Sequence, residues 1–138
     1  MALSEIIASL TLPGAERSAR YARLFIRDVL GERHPSLDDV QTCVTEALTN
    51  AIEHTKSGKG GQVTVTVTVD ASDIVVEVLD DGADGARPVM RDDPLAEDGR
   101  GLRIIDALAL AWEARASGDG TTVWMRFAGP PPGVSPPR

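Results

Sequence analysis

Thr45-Glu46-Ala47-Leu48-Thr49-Asn50-Ala51-Ile52-Glu53-His54 is the stretch on which the fold turns. It reads as the second half of a helix that begins near Ser36. Ser36 stands at the N-cap, and Asp38 and Asp39 in the first turn suit the positive end of the helix dipole. Val40, Val44, Ala47, Leu48 and Ala51 recur at spacings of three and four, which makes one apolar face. Glu46 and Asn50 are one turn apart and stack on the side that borders this face. They are therefore expected at the rim of the core, half sheltered. A carboxamide oxygen can ligate a hard cation, and a carboxylate can orient or deprotonate a nucleophile. Taken alone, such a pair is more often only a solvated helix face.

On the N-terminal side, residues 4–12 alternate poorly but close on Ser9-Leu10-Thr11-Leu12, a first strand broken by Pro13-Gly14. Residues 15–30 read as an amphipathic helix. Ala19, Ala22, Ile26, Val29 and Leu30 face inward, and Arg17, Arg20, Arg23 and Arg27 face outward. The arginine face is read either as a partner surface or as a solvated face, the second being the commoner case. His34, before Pro35, is placed in a loop.

On the C-terminal side, Val63, Val65, Val67 and Val69 alternate with threonines, a clear strand. Asp70-Ala71-Ser72-Asp73 makes a hairpin turn. Residues 74–79 form an apolar strand, read as buried on both faces. It stops at Asp80-Asp81-Gly82. Residues 83–98 show no periodicity and carry five acids, which points to a functional loop or lid. Gly99-Arg100-Gly101 opens into a short helix with apolar positions at 102, 105, 108 and 109. Residues 112–116 and 121–127 form a closing hairpin. Residues 129–138 hold five prolines and are read as a disordered tail, so residues 1–128 form one domain.

The 138 residues suffice for one real core, and 42% hydrophobic content marks a globular chain. No apolar run reaches the length of a membrane span, and the first residues lack a basic leader, so a cytoplasmic location is expected. A net charge of −7 disfavours direct binding to nucleic acid. The single cysteine, Cys43, excludes an intrachain disulfide and reads as a buried structural thiol.

Three features stand in order: the Glu46/Asn50 helix, the Asp80-x-Gly82 strand end, and Gly99-x-Gly101 at a helix start. A strand-end aspartate can accept a hydrogen bond from an exocyclic amine such as that of adenine. A nearby glycine lets the backbone approach a flat ring. Gly-x-Gly at a helix start leaves amide N–H groups where the dipole favours phosphate. Asn50 would hold Mg²⁺, and Glu46 would polarise the attacking hydroxyl or water. The sequence has no Walker A loop, and Gly99-Arg100-Gly101 does not follow a first strand as a Rossmann fingerprint would.

The stretch Thr45 through His54 resembles the asparagine box of the GHKL (Bergerat-fold) ATP-binding superfamily. Val78-Leu79-Asp80-Asp81-Gly82 resembles its first glycine box, and Gly99-Arg100-Gly101-Leu102-Arg103-Ile104-Ile105 its second. Gly120-Thr121-Thr122-Val123-Trp124 is similar to the family's closing strand. Within the superfamily the chain looks most like the anti-sigma-factor serine/threonine kinases and the short actinobacterial regulators related to them. The resemblance implies an α/β (α+β) two-layer sandwich, with a mixed, mostly antiparallel sheet and helices on one face. It implies that ATP or ADP binds with Mg²⁺. Asp80 would read adenine with Gly82 against the ring, and Asn50 would take the metal. Glu46 would act as base. Gly99, Gly101 and the amide of Leu102 would contact phosphate, with Arg100 near the γ-phosphate. Thr121 or Thr122 would line the pocket. It implies as partners a sigma factor and an antagonist protein bearing the acceptor serine, often with a homodimer. A nucleotide-binding interaction module without phosphotransfer is the alternative.

The chain departs from the family pattern at three places. The second glycine of the first box is one place late, at Gly85. Glu53 stands where sensor kinases carry a lysine. No phosphoacceptor-histidine helix precedes the boxes, since His34 and His54 are the only histidines.

Overall fold

The structure, a computed structural model, describes residues 4–54, 60–81, 99–117 and 120–130. The elements run β1 (Ser4–Pro13), α1 (Ser18–Leu30), α2 (Leu37–His54), β2 (Gln62–Asp70), β3 (Asp73–Asp80), α3 (Gly99–Leu108), β4 (Ala111–Ser117) and β5 (Gly120–Phe127). The strands form one sheet in the order β1-β2-β3-β5-β4, and all four ladders are antiparallel. α1 packs on β1 and on α2, α2 on β2 and β3, and α3 on α2 and β4. The three helices share one face of the sheet. This is the two-layer α+β arrangement the resemblance implied, but with the described strands paired only antiparallel instead of in a mixed sheet.

Alternation explains the two faces. Val63, Val65 and Val67 of β2, Val76 and Val78 of β3, and Val123, Met125 and Phe127 of β5 are buried toward the helices. From α2, Val40, Cys43, Val44, Ala47, Leu48 and Ala51 meet them. The opposite face carries Thr11, Thr64, Leu79, Thr122 and Arg115 in one cross-strand row. The Thr11 and Thr64 hydroxyls share a hydrogen bond of 2.9 Å there. Burial of β3 on both faces holds only for Ile74 to Val76, because Leu79 is 36% exposed.

The first strand is longer than expected, and its poor alternation has a physical cause. The register slips between Ile6 and Ala8, so Ile7 is an extra residue in the ladder with β2. A bulge breaks period two without ending the strand. α1 begins at Ser18, three residues late, because the Ser18 hydroxyl donates to the Pro13 carbonyl at 2.5 Å and holds residues 14–17 as a turn. Ser36 precedes α2 as expected, but its hydroxyl donates to the Ala128 carbonyl at 2.6 Å. It ties the helix start to the end of β5.

The β2–β3 turn places Ala71 at φ 52° and Ser72 at φ 78°, the pattern of a type I′ hairpin carried by residues other than glycine. Arg126 of β5 clamps this turn, donating from Nε to Asp73 at 2.8 Å and from Nη1 to Asp70 at 2.9 Å. Both carboxylates hold the guanidinium protonated, Asp70 most strongly. Gly129, where the tail was expected to begin, lies against the same turn. A β-carbon there would sit 1.6 Å from the Ser72 carbonyl oxygen, which is backbone and cannot swing aside. Gly129→Ala is therefore expected to destabilise the protein by about 1–3 kcal/mol, the usual cost of forced overpacking. Thermal melting reads this directly, and an unchanged midpoint would mean that Gly129 does not dock on the turn.

His34, expected in a loop, does occupy the α1–α2 connection but is buried there. Its Nδ1 accepts the Ser36 N–H at 3.0 Å, and Nε2 is buried without a partner among the described residues. Burial lowers its pKa, since the charged form loses solvation. Protonation would also turn the Nδ1 acceptor into a donor facing an N–H. A depressed folded pKa means that the stability His34 contributes is present above its unfolded value of about 6.5. It is lost as pH falls from there through the folded value. Wild type is expected to lose stability over this window more steeply than His34→Asn, which cannot ionise. Identical pH profiles in denaturant melts would remove His34 as the cause.

Candidate functional site

Strand pairing builds the first part of the site. Asp80 ends β3 directly opposite Thr121 of β5, and its Oδ1 accepts the Thr121 N–H at 3.1 Å. Both residues share the parity of Val78 and Val123, so both lie on the helix-covered face. Thr121 Oγ1 is buried and has no hydrogen-bond partner among the described residues. An orphaned buried hydroxyl beside a carboxylate costs free energy in the protein alone and fits a polar ligand edge. Asp81, the next residue, does different work: its Oδ2 accepts the Gln62 N–H at 2.8 Å and fastens the strand end to β2.

Thr122 pairs with Leu79 on the opposite face of the sheet. Only one of the two threonines expected in the pocket therefore has its side chain on the Asp80 side. The signal was available in the sequence. Val123, Met125 and Phe127 fix the inward parity of β5, and Thr121 shares it.

Glu46 and Asn50 both lie on α2 with intermediate exposure, while Ala47, Leu48 and Ala51 beside them are buried. This is the rim position that helical spacing predicted. Below them on the same helix, burial pushes the Cys43 thiol up to about 12, and the charges of Asp39 and Glu46 add to the effect. Cys43 is thus an inert core thiol.

Gly99, Arg100 and Gly101 form the first turn of α3 itself. A first turn has backbone N–H groups without intrahelical partners. Leu102 packs against the core and Ile105 is fully buried, so the helix start is anchored from within. Trp112 Nε1 donates to Asp106 at 2.8 Å, which ties α3 to β4. The Arg100 side chain, Gly82, Gly85 and the expected lid at 83–98 lie outside the described residues. Among the described residues, no group of three or more His, Cys, Asp or Glu could hold a metal. A cation at Asn50 would draw its other ligands from phosphate and water, as Mg²⁺ commonly does.

The strand ends at Asp80 of β3 and Thr121 of β5, the α2 rim and the first turn of α3 carry the residues expected to hold a nucleotide. Residues 12–127 match the Histidine kinase-like ATPase domain family, and the chain belongs to that family. It is 38% identical over 65 residues to the Anti-sigma F factor of Clostridium acetobutylicum, which covers 45% of this chain and 46% of that protein. The chain thus spans about half the length of that curated relative. Its fold is similar to the crystal structure of the RsbU and RsbW domains of a Mycobacterium tuberculosis protein. The TM-score is 0.64 at 20% identity, over 89% of this chain and 33% of that one. Among the described residues, no helix is long and apolar enough to cross a membrane.

Proposed function

We propose that this chain is an ATP-binding anti-sigma regulator that sequesters a sigma factor and phosphorylates a serine or threonine on an antagonist protein. The observation that carries the nucleotide half is the buried, unpartnered Thr121 hydroxyl in register with Asp80. The partner half is supported by the likeness to the Anti-sigma F factor.

Bound Mg-ATP supplies the transferable phosphoryl group. Asp80 accepts a hydrogen bond from the adenine amine, and Thr121 Oγ1 gains the partner it lacks in the protein alone. The backbone of Gly99, Gly101 and Leu102 offers N–H groups to phosphate at the positive end of α3. Asn50 offers its carboxamide oxygen to Mg²⁺. Glu46, one turn earlier, accepts the proton of the attacking hydroxyl. Positioning and charge neutralisation do the rest, as phosphoryl transfer requires.

Calorimetric titration with ATP, with and without Mg²⁺, tests this reading. Saturable binding that strengthens with Mg²⁺ is expected. Absence of binding at millimolar ATP would overturn the nucleotide site.

A further inference from the structure

We infer that Asp81 is a positioning residue for base recognition: its side chain holds the end of β3 against β2 and so holds Asp80 in place, a role that rests on the nucleotide site proposed above. The β2–β3 ladder runs from Asp70↔Asp73 to Thr64↔Leu79. Asp80 stands one residue past that last pair. On the β5 side it is still in the ladder, opposite Thr121. On the β2 side the next link is made by a side chain, since Asp81 Oδ2 accepts the Gln62 N–H at 2.8 Å. Continuing the same register puts Gln62 directly opposite Asp81. The carboxylate therefore takes over the pairing where the backbone ladder stops.

The anchor on the far side is itself fixed. Gln62 pairs with Pro13 of β1, and the Gly14 N–H donates to the Gly61 carbonyl at 3.0 Å. The Pro13 carbonyl accepts the Ser18 hydroxyl at the start of α1. Held points thus run from α1 through the ends of β1 and β2 to Asp81, and from Asp80 to the Thr121 N–H at 3.1 Å. A residue that recognises a ligand works only if it is held to within about 0.5 Å, and a strand end without lateral bonds frays. A carboxylate that merely capped the strand would serve stability and phosphate and base contacts alike. A positioning carboxylate serves the contact that Asp80 makes, which is the one that tells adenine from guanine.

Two measurements on Asp81→Ala and Asp81→Asn test the role. Asparagine keeps a carbonyl oxygen for the Gln62 N–H, and alanine does not. In the nucleotide-free protein, amide hydrogen exchange at both Gln62 and Thr121 should speed up by about tenfold in Asp81→Ala and stay near wild type in Asp81→Asn. Calorimetric titration then compares ATP with GTP. Both substitutions remove a negative charge, but its effect on the triphosphate is common to the two nucleotides and cancels in the ratio of their affinities. That ratio should fall by about tenfold in Asp81→Ala, the worth of one hydrogen bond, and recover in Asp81→Asn. An unchanged ratio in Asp81→Ala, an equal fall in both variants, or unchanged exchange at Thr121 would overturn the inference. Wild type that binds neither nucleotide removes the site and this role together. Wild type that prefers ATP, with the preference intact in Asp81→Ala, removes the role of Asp81 alone.

Discussion

Asp80→Asn is expected to lose ATP affinity by at least about a hundredfold while its affinity for GTP rises relative to ATP, because a mismatched buried polar group is heavily penalised. The substitution keeps the side-chain shape. It also keeps one oxygen that can accept the Thr121 N–H, the 3.1 Å bond that holds the strand end. What changes is the second oxygen, which becomes an amide donor. Adenine then meets donor with donor at its exocyclic amine, whereas guanine presents a carbonyl oxygen there. Parallel calorimetric titrations with ATP and GTP measure the exchange, and a melting curve shows whether the fold is intact. Unchanged ATP affinity would mean that Asp80 does not read the base. Thr121→Val adds a test of opposite signs. It removes a buried oxygen that has no partner, so stability should hold or rise. The same change deletes a ligand contact, so ATP affinity should fall. A merely structural threonine would not separate the two.

Elements whose pattern comes from a single strong period were legible in the sequence. The valine alternation of β2 and the three-four spacing of α2 each appear in the structure with the expected faces buried. The rim placement of Glu46 and Asn50 followed from the same helical arithmetic. What escaped was long-range. The Ile7 bulge hides a ten-residue strand, because alternation assumes an unbroken ladder. The Ser36 hydroxyl looks like a helix cap in sequence, yet its partner is Ala128, 92 residues away. His34 sits in a polar stretch before Pro35, and nothing local signals its burial. The Asp80–Thr121 pair is the instructive case. Each residue was picked for its motif, but only the β3–β5 register brings the carboxylate to the Thr121 amide and sends Thr122 to the other face. Motif reading finds residue types, and cross-strand register decides which of them meet.

The second large effect expected is on turnover. Glu46→Gln should leave Mg-ATP binding near the wild-type value and slow conversion of ATP to ADP in the presence of an acceptor protein by ~10²–10⁴-fold, the usual worth of a general base. Glutamine has the same length and keeps an oxygen for hydrogen bonding, but it cannot accept a proton. The α2 core should not notice, since Glu46 lies at the rim and the neighbours that pack, Ala47 and Leu48, are untouched. Asn50→Ala, one turn on, should show the reverse order of effects. It removes the oxygen offered to Mg²⁺, so the magnesium-dependent part of binding goes first and turnover follows from it. The two variants together separate chemistry from occupancy. If Glu46→Gln turns ATP over to ADP as fast as wild type, Glu46 is not the base. If wild type binds Mg-ATP and neither hydrolyses it nor phosphorylates an acceptor protein, the chain controls its partner by nucleotide occupancy, and the retained glutamate serves only the rim of the helix.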